Sequence, residues 1–437
     1  MDKRDAVLGA IWSAPELIRD FQALCDTGGR FCGTESEAIA RDFLRERLAE
    51  IPGIGRGEYV FDYEVWGRKT NRVTVLGKGE KTLPCHALIW SKDTPPGGLE
   101  GEVVDLGRGH RADFESAGEL IRGRIALVRQ DYPFGADTVH RMVKYRWARE
   151  FGAAGYLLAY PAPGQLVATG YCALNIPEDI PAAGLAYEGA ALLGRRPDGS
   201  LARARIEVEG DRRTEKSVNL IAEIPGKGPE WVSLTAHYDG HDLAESALDN
   251  ATGVAAILQI LRTLAPLVPD CERGLRVSFY TTEEWGLLGS YRYVNDLTEA
   301  ERRAIAVNVN LDTIAGSPNL ACLTSGYVEL EDWVRGVGAE IGQGFRIIRP
   351  PKRNSDHYNY ARRGIPAMRL VAGFDEPDSR VGLILTPADT RDKAPVGELK
   401  NGTMAAAAFV WKALNQPGPV VPHKTDEEAA ELVAGLE

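Results

Sequence analysis

Strand-like and helix-like patterns of apolar residues alternate along the second half of the chain. Short apolar runs such as WVSLTAH, GLRVSFY and IAVNVNL predict buried strands, and stretches with helical spacing follow them. Residues 250–264 place four apolar side chains on one face of a helix: Val254, Ile257, Leu258 and Leu261. This alternation is typical of a mostly parallel central sheet sandwiched by helices, so we predict an α/β fold.

A helix is also predicted near the N terminus. Thr34 is followed three residues later by Glu37, which is the spacing of a capping box. An apolar stripe with helical spacing then runs to Ile51, where Pro and Gly residues end it. The runs YVFDYEVWG and RVTVLG predict a pair of strands after this helix. We expect this first segment to complete the same domain as the second half of the chain.

The middle of the chain differs from the rest in composition and in its pattern of predicted elements. Gly and Pro are frequent, and short β-type runs such as GRIALVRQ and AGYLLAYPA surround one helical candidate from Asp137 to Glu150. These features predict a small β-rich domain that is inserted into the larger one. The expected boundaries are 1–75 for the N-terminal part of the larger domain, 76–212 for the insertion, 213–416 for the main part of the larger domain and 417–437 for a C-terminal tail.

Composition and charge exclude several classes of function. The chain has 437 residues, and its 51 Lys and Arg residues against 62 Asp and Glu residues give a net charge of −11. A chain this acidic is a poor candidate for nucleic-acid binding, and the absence of a long apolar run predicts no membrane span. The six cysteines form no CxxC motif, so we expect free thiols and a cytoplasmic location.

Acidic residues and one histidine follow the predicted strands of the second half, at the points where the strands end. The set consists of His237, Asp239, Asp249, Glu283, Glu284 and Asp312. Because ligands bind at the carboxyl ends of strands in an open α/β sheet, we expect these side chains to meet at one edge. Taken alone, Asp249 is better explained as the cap of the next helix. The whole set, with every member at a strand end, is better explained as a site.

Several carboxylates in one cleft would repel each other strongly unless a cation lies among them. Imidazole and carboxylate together are the ligands that zinc prefers, with cobalt or manganese as substitutes. Two adjacent glutamates divide naturally into one metal ligand and one general base. The sequence therefore predicts a hydrolytic metal site with one or two Zn²⁺ ions per chain, or Mn²⁺ or Co²⁺ in their place.

Five motifs of the second half resemble those of a known family. In chain order they read AHYDG, LDNATGVAA, TTEEWGLLGS, NLDTIAGSP and SDHYNYARRGIPA. They resemble the motifs of the co-catalytic zinc exopeptidases, a family that contains bacterial aminopeptidases, glutamate carboxypeptidase II and the glutaminyl cyclases. The resemblance covers about residues 216–415. The inserted segment resembles a protease-associated domain through IRGRIALVRQ, REFGAAGYLLAY and IPAAGLAYEGAALL.

The resemblance implies a role for each site residue. It assigns the ligands of two metal ions, with His237 and Asp312 on the first ion, Glu284 on the second and Asp249 bridging both. It makes Glu283 the general base. Asp239 would orient His237 as an outer partner of that ligand.

One ligand of the family is missing from this chain. The family's last ligand is a histidine in a segment like HTPADT, and here the segment reads LTPADT with Leu385 at that position. Leucine has no ligating atom. His241 and His357 are the candidate substitutes or substrate contacts, and His357 is favoured because its segment resembles a pocket-lining one. Arg353 and Tyr358 beside it are candidate substrate contacts.

We expect a metal-dependent hydrolase of an amide or peptide C–N bond that resembles an aminopeptidase, acting through metal-bound water activated by Glu283. Two alternatives stay open. One is a mononuclear-metal enzyme of the same fold that acts on a non-peptide amino or acylamino substrate, of aminohydrolase or cyclase type. The other is a non-catalytic binding protein with a degraded metal site. The expected partner is a small-molecule or peptide substrate, with no nucleic acid or membrane, and a homodimer is left open.

Overall fold

The computed structural model describes residues 3–173, 175–194 and 199–434. The chain divides into two compact units. The larger unit contains the described residues up to Asp62, Lys216–Ile384 and the described residues from Asp389 onward; the smaller contains Tyr63–Glu215 and Leu385–Ala388. No helix of the described ranges is both long enough and apolar enough to cross a membrane.

Helices and strands alternate along both units. The α-helices of the described residues are α1 (Lys3–Ser13), α2 (Glu16–Asp26), α3 (Glu35–Ala49), α4 (Arg111–Ala117), α5 (Arg141–Glu150), α6 (Tyr187–Leu193), α7 (Thr252–Leu264), α8 (Leu288–Asp296), α9 (Glu299–Arg303), α10 (Val328–Ile341), α11 (His357–Ala361), α12 (Val396–Asn415) and α13 (Asp426–Val433). The strands are β1 (Gly55–Leu76), β2 (Lys81–Leu83), β3 (Cys85–Ala87), β4 (Leu99–Asp105), β5 (Ile125–Arg129), β6 (Gly155–Ala159), β7 (Ala182–Leu185), β8 (Arg203–Ile224), β9 (Trp231–His237), β10 (Gly274–Tyr280), β11 (Ile305–Leu311), β12 (Leu320–Leu323), β13 (Arg346–Ile348) and β14 (Ala367–Ala372).

The sheet of the larger unit runs in the order β13-β12-β14-β11-β9-β10-β8. Its central strands β14, β11, β9 and β10 are parallel, and β8 and β12 pair with them in antiparallel fashion. The helix α7 packs against β9 and α12, and nearly all of its side chains are buried, as an internal helix of a sandwiched sheet requires. The predicted α/β architecture is confirmed.

Register brings the ends of the central strands to one edge. His237 at the end of β9 pairs with Tyr280 at the end of β10. On the other side of β9, Asn310 of β11 pairs with Thr235. Residues that directly follow β9, β10 and β11 therefore emerge side by side at the carboxyl edge of the sheet, where the sequence predicts the site.

The smaller unit has its own sheet. Strands β4, β5, β6 and β7 are parallel and adjacent in that order, and β3 pairs with β7 in antiparallel fashion. The first part of β8 closes the other side of this sheet, with Leu99 of β4 opposite Ile206. Residues 125–128 of β5 and 156–159 of β6 are fully buried, so this unit has a core of its own.

Several local predictions differ from the structure. The two strands predicted after the first helix are one long strand, β1, and the helix predicted from Asp137 begins at Arg141. Thr34 is the N-cap of α3, but the capping box does not form. Thr34 Oγ1 donates to the carbonyl of Phe31, and Glu37 accepts hydrogen bonds from Gly33 and Thr281 instead.

The boundaries between the two units differ from the expected ones. The changes fall at 62/63 and 215/216, where the sequence suggests 75/76 and 212/213, and residues 385–388 cluster with the smaller unit. Part of the expected C-terminal tail is the helix α13, and Val433 of this helix packs with Leu287 and Tyr358.

Candidate metal centre

The predicted site residues lie at the carboxyl edge of the larger unit's sheet. His237 is the last residue of β9, and Asp312 directly follows β11. Glu283 and Glu284 lie in the loop after β10, and Asp249 lies in an irregular turn before α7. All five side chains are buried. A group of charged side chains this deep needs compensating charge, which a metal ion would supply.

The first candidate metal group consists of His237, Asp249 and Asp312. His237 Nε2 lies 3.2 Å from Asp249 Oδ1 and 3.7 Å from Asp312 Oδ1. Two ligand atoms that share one tetrahedral zinc ion, each at about 2.0–2.2 Å from it, lie roughly 3.3–3.6 Å apart. His237 Nε2 is buried and makes no hydrogen bond of acceptable geometry among the described residues. The group therefore fits a zinc ion better than it fits a set of hydrogen bonds.

Asp312 and His237 are held in place by neighbours. Arg369 Nη2 lies 3.1 Å from Asp312 Oδ2, and Thr313 Oγ1 donates to Asp312 Oδ1 at 3.1 Å. Burial alone would raise the pKa of Asp312, but Arg369 and His237 hold that pKa below its ordinary value, so the carboxylate stays charged. His237 Nδ1–H donates to the carbonyl of Asp239 at 3.2 Å, which directs Nε2 into the group.

Asp249 is not the cap of α7. Ala251 occupies that position, and Asp249 has non-helical φ and ψ angles of −116° and 87°. Its turn is held by Asp389, whose Oδ1 accepts the N–H of Leu248 at 2.7 Å and whose Oδ2 accepts the N–H of Asp249 at 3.3 Å. The Asp249 side chain is thus free of a capping role and faces His237.

Asp239 positions the two glutamates. Its Oδ1 accepts the backbone N–H of Glu283 and its Oδ2 the backbone N–H of Glu284, each at 3.2 Å. Its carboxylate lies 3.6 Å from His237 Nδ1, farther than its own carbonyl oxygen. Asp239 therefore orients His237 mainly through its main chain, while its side chain sets the glutamate loop.

The cluster is strongly polarised. Burial raises the pKa of Glu283 well above its ordinary value, the carboxylates of Glu284, Asp356 and Asp312 raise it further, and His237 opposes them. Burial alone would lower the pKa of His237, but the surrounding carboxylates raise it well above its ordinary value. Both shifts have one meaning: the cluster favours an added positive charge, either as protons or as a cation.

Glu284 has a neighbour that differs from the one the sequence favours. His241 Nε2 lies 2.7 Å from Glu284 Oε1, and both residues are buried. His357 is fully buried too, but burial and the positive charge of Arg369 lower its pKa to about 3. The geometry therefore places His241 beside Glu284, and the choice of the substitute ligand stays a prediction.

Arg353, Tyr358 and Leu385 are the remaining predicted residues. Arg353 is exposed. The Tyr358 ring is buried and packs with Leu287 and Val433, which is a core position. Leu385 has a left-handed backbone with φ of 60°, and its carbonyl accepts the N–H of Thr169.

Sequence reasoning missed four supporting residues. They are Cys32, whose Sγ lies 3.3 Å from Asp239 Oδ2, together with Arg369, Asp356 and Asp389. Asp356 and Asp389 stand inside motifs that the sequence analysis quotes, beside His357 and in LTPADT. The available signal for both was a carboxylate that stands inside a quoted motif.

Comparison with known proteins places this architecture in a family. Residues 219–410 match the model of peptidase family M28, and residues 99–193 match the model of the PA domain. Aminopeptidase YwaD of Bacillus subtilis is 26% identical over 350 residues, which are 78% of this chain and 73% of that protein.

Two solved structures share the fold over almost the full chain. The peptidase M28 precursor of Shewanella amazonensis has a TM-score of 0.81 at 22% identity, covering 97% of this chain and 98% of that one. BSAP, a zinc aminopeptidase from Bacillus subtilis, has a TM-score of 0.72 at 21% identity, covering 96% and 98%. Family matches, fold and site agree: residues 219–410 belong to peptidase family M28, residues 99–193 form a PA domain, and the chain is a metallohydrolase.

Proposed function

We propose that this protein is a zinc aminopeptidase, which removes N-terminal residues from peptides. The observation that carries the proposal is the buried group of His237, Asp249 and Asp312 with Glu283 beside it, at the carboxyl edge of the sheet. The relatives named as aminopeptidases, one of them a zinc enzyme, support the same activity.

The chain's own residues supply a complete first metal site. His237, Asp249 and Asp312 would hold one zinc ion, and Glu284 with Asp249 would contribute to a second. A bound zinc ion acts as a Lewis acid and lowers the pKa of coordinated water. Arg369 contacts Asp312, and Asp389 holds the turn that carries Asp249. Both would keep metal ligands in place without binding the metal themselves, as outer partners of metal ligands do.

Glu283 is the proton carrier of the proposed reaction. One carboxylate oxygen of Glu283 would accept a proton from the attacking water and then release that proton to the leaving nitrogen. Its position is set by the hydrogen bond from its own N–H to Asp239.

The names of the relatives favour the amino end of a peptide as the point of attack, since several of them are named as aminopeptidases. We also propose a reducing, cytoplasmic setting, because all six cysteines are free and five of them are buried.

The test uses the full chain with two matched peptides, one with a free N terminus and one acetylated there. After chelation and reloading with Zn²⁺, we expect release of the first residue from the free peptide only. Chelated protein should release none. Cleavage of the acetylated peptide at a comparable rate, or cleavage that survives chelation, would contradict an aminopeptidase.

A further inference from the structure

We propose that His241 is the nitrogen ligand of a second metal ion, which it shares with Glu284. This inference rests on the proposed function, because it completes the metal site of that same centre. The family resemblance puts the corresponding ligand at position 385, and the leucine there has no ligating atom. The chain therefore needs another donor if Glu284 is to hold a metal ion.

His241 and Glu284 form a close and buried pair. His241 Nε2 lies 2.7 Å from Glu284 Oε1, and the two residues are 3% and 6% exposed. Two donors at about 2.0–2.2 Å from one zinc ion lie roughly 2.9–3.4 Å apart, depending on the coordination geometry. A movement of a few tenths of an ångström therefore gives both atoms the spacing of ligands on a shared ion.

The loop that carries His241 is fixed by the protein core. The guanidinium of the fully buried Arg30 donates to three carbonyl oxygens of this loop, those of Tyr238, Glu245 and Ser246. The N–H of His241 donates to Ser246 Oγ at 2.9 Å. A Cβ atom on Gly29 would lie 1.7 Å from the carbonyl oxygen of His241, so the two segments are in direct contact. The imidazole is thus preorganised, as a metal ligand must be.

Glu284 is fixed by the first centre. Its N–H donates to Asp239 Oδ2, and its carboxylate lies within 4.8 Å of the nearest donor atoms of His237 and Glu283. A metal ion held by His241 and Glu284 would therefore lie next to the group around His237. Asp249 stands at the same group and supplies a carboxylate that can bridge two ions.

The chemistry of the donor set favours His241 over the other nearby imidazole. Imidazole with carboxylates is a good zinc ligand set, whereas carboxylates alone suit harder cations. His241 is the imidazole that contacts Glu284, with Nε2 at 2.7 Å from Oε1. The acidic surroundings of Glu284 attract a cation.

The experiment counts metal ions in the full-length protein. Wild type, His241→Ala and His357→Ala are freed of metal, reloaded with Zn²⁺, dialysed and analysed for zinc per chain. His357→Ala is the matched control, because it also removes a buried imidazole near the centre. We expect two ions in the wild type and in His357→Ala, and one ion in His241→Ala. One ion in the wild type, or two in His241→Ala, would overturn the proposal.

Crystals of zinc-loaded wild type give a reading that does not depend on a variant's folding. Anomalous scattering should show a second ion about 2.1 Å from His241 Nε2. A second ion far from this nitrogen, or no second ion, would also overturn the proposal. Peptide hydrolysis with one bound ion would defeat this inference and leave the proposed function intact. Two bound ions per chain, the second of them at His241, without peptide hydrolysis would defeat the proposed function and leave this inference intact.

Discussion

Asp239 Oδ2 accepts the backbone N–H of Glu284 at 3.2 Å, and this bond joins the ends of β9 and β10. The other oxygen of the same carboxylate accepts the N–H of Glu283, and the carbonyl of Asp239 accepts His237 Nδ1–H. One residue therefore sets the direction of three proposed site residues: the metal ligand His237, the general base Glu283 and the second acidic ligand Glu284. Its burial is complete, so water cannot replace these bonds.

Replacing Asp239 by Asn tests this positioning role. The amide has one acceptor oxygen and one NH₂ group, so one of the two backbone N–H groups loses its partner. We expect zinc affinity to fall about 10–100-fold, as is typical when an outer partner of metal ligands is lost, and kcat to fall with it. Competition with a chelator measures the affinity. Unchanged affinity and kcat would show that the glutamate loop holds its place without Asp239. Asp392→Asn, an exposed change, is the control.

Asp389 has a similar role for Asp249 and acts from 140 residues away along the chain. Asp389→Ala removes the acceptor of two buried N–H groups and should weaken zinc binding by about 10–100-fold. Burial raises the pKa of Asp389 to about 8, so Asp389→Asn, which resembles its neutral form, should weaken zinc binding less than the alanine variant does. Equal zinc affinity in wild type and Asp389→Ala would mean that the Asp249 turn does not depend on this carboxylate.

Asp356 predicts a pH dependence of stability in metal-free protein. Burial raises its pKa to about 7, and the attraction of His237 opposes that shift only in part. A raised pKa means that Asp356 binds its proton more tightly in the folded protein than in the unfolded chain. The protonated carboxyl therefore stabilises the folded protein fully below about pH 4, and this contribution is lost as the pH rises through 7.

The isosteric variant Asp356→Asn has a side chain that is uncharged at every pH. In chelated protein its free energy of unfolding should match that of wild type near pH 4 and exceed it by up to a few kcal/mol above pH 7, since one pKa unit corresponds to about 1.4 kcal/mol. Denaturant titrations at several pH values measure the difference. A difference that does not change with pH would contradict the assignment. Asp378→Asn, at an exposed position, should show no pH-dependent difference.

Metal removal should destabilise the protein. A metal ion that binds only the folded state raises its stability by mass action, so chelation should lower the melting temperature. His237→Ala should gain less stability from added Zn²⁺ than the wild type does, because it lacks the nitrogen ligand of the first group. A zinc-dependent rise in the melting temperature of this variant, equal to that of wild type, would contradict the ligand assignment.

Periodicity was sufficient to predict the architecture of the larger unit, because buried parallel strands and internal helices differ in their apolar pattern. It also predicted which residues meet, since parallel strands bring their carboxyl ends to one edge. It could not predict partners that are distant in the chain. Glu37 fits a capping box locally, yet its carboxylate accepts the hydroxyl of Thr281, 244 residues away.

The choice between the two spare histidines shows the same limit. His357 stands in a motif and His241 in a loop of mixed composition, so the sequence favours the former. The contact between His241 and Glu284 depends on how Arg30 and Gly29 hold that loop, and both come from the N-terminal segment. Tertiary packing of this kind leaves no local pattern.

The most direct test of the account is the turnover of Glu283→Gln on a peptide with a free N terminus, measured together with its zinc content. The variant keeps the size of the side chain and removes the proton acceptor. We predict that kcat falls at least about 10²–10⁴-fold while zinc per chain stays at the wild-type value. Glu329→Gln, at an exposed position, should keep full activity. Near-normal turnover of Glu283→Gln with its zinc in place would contradict the account.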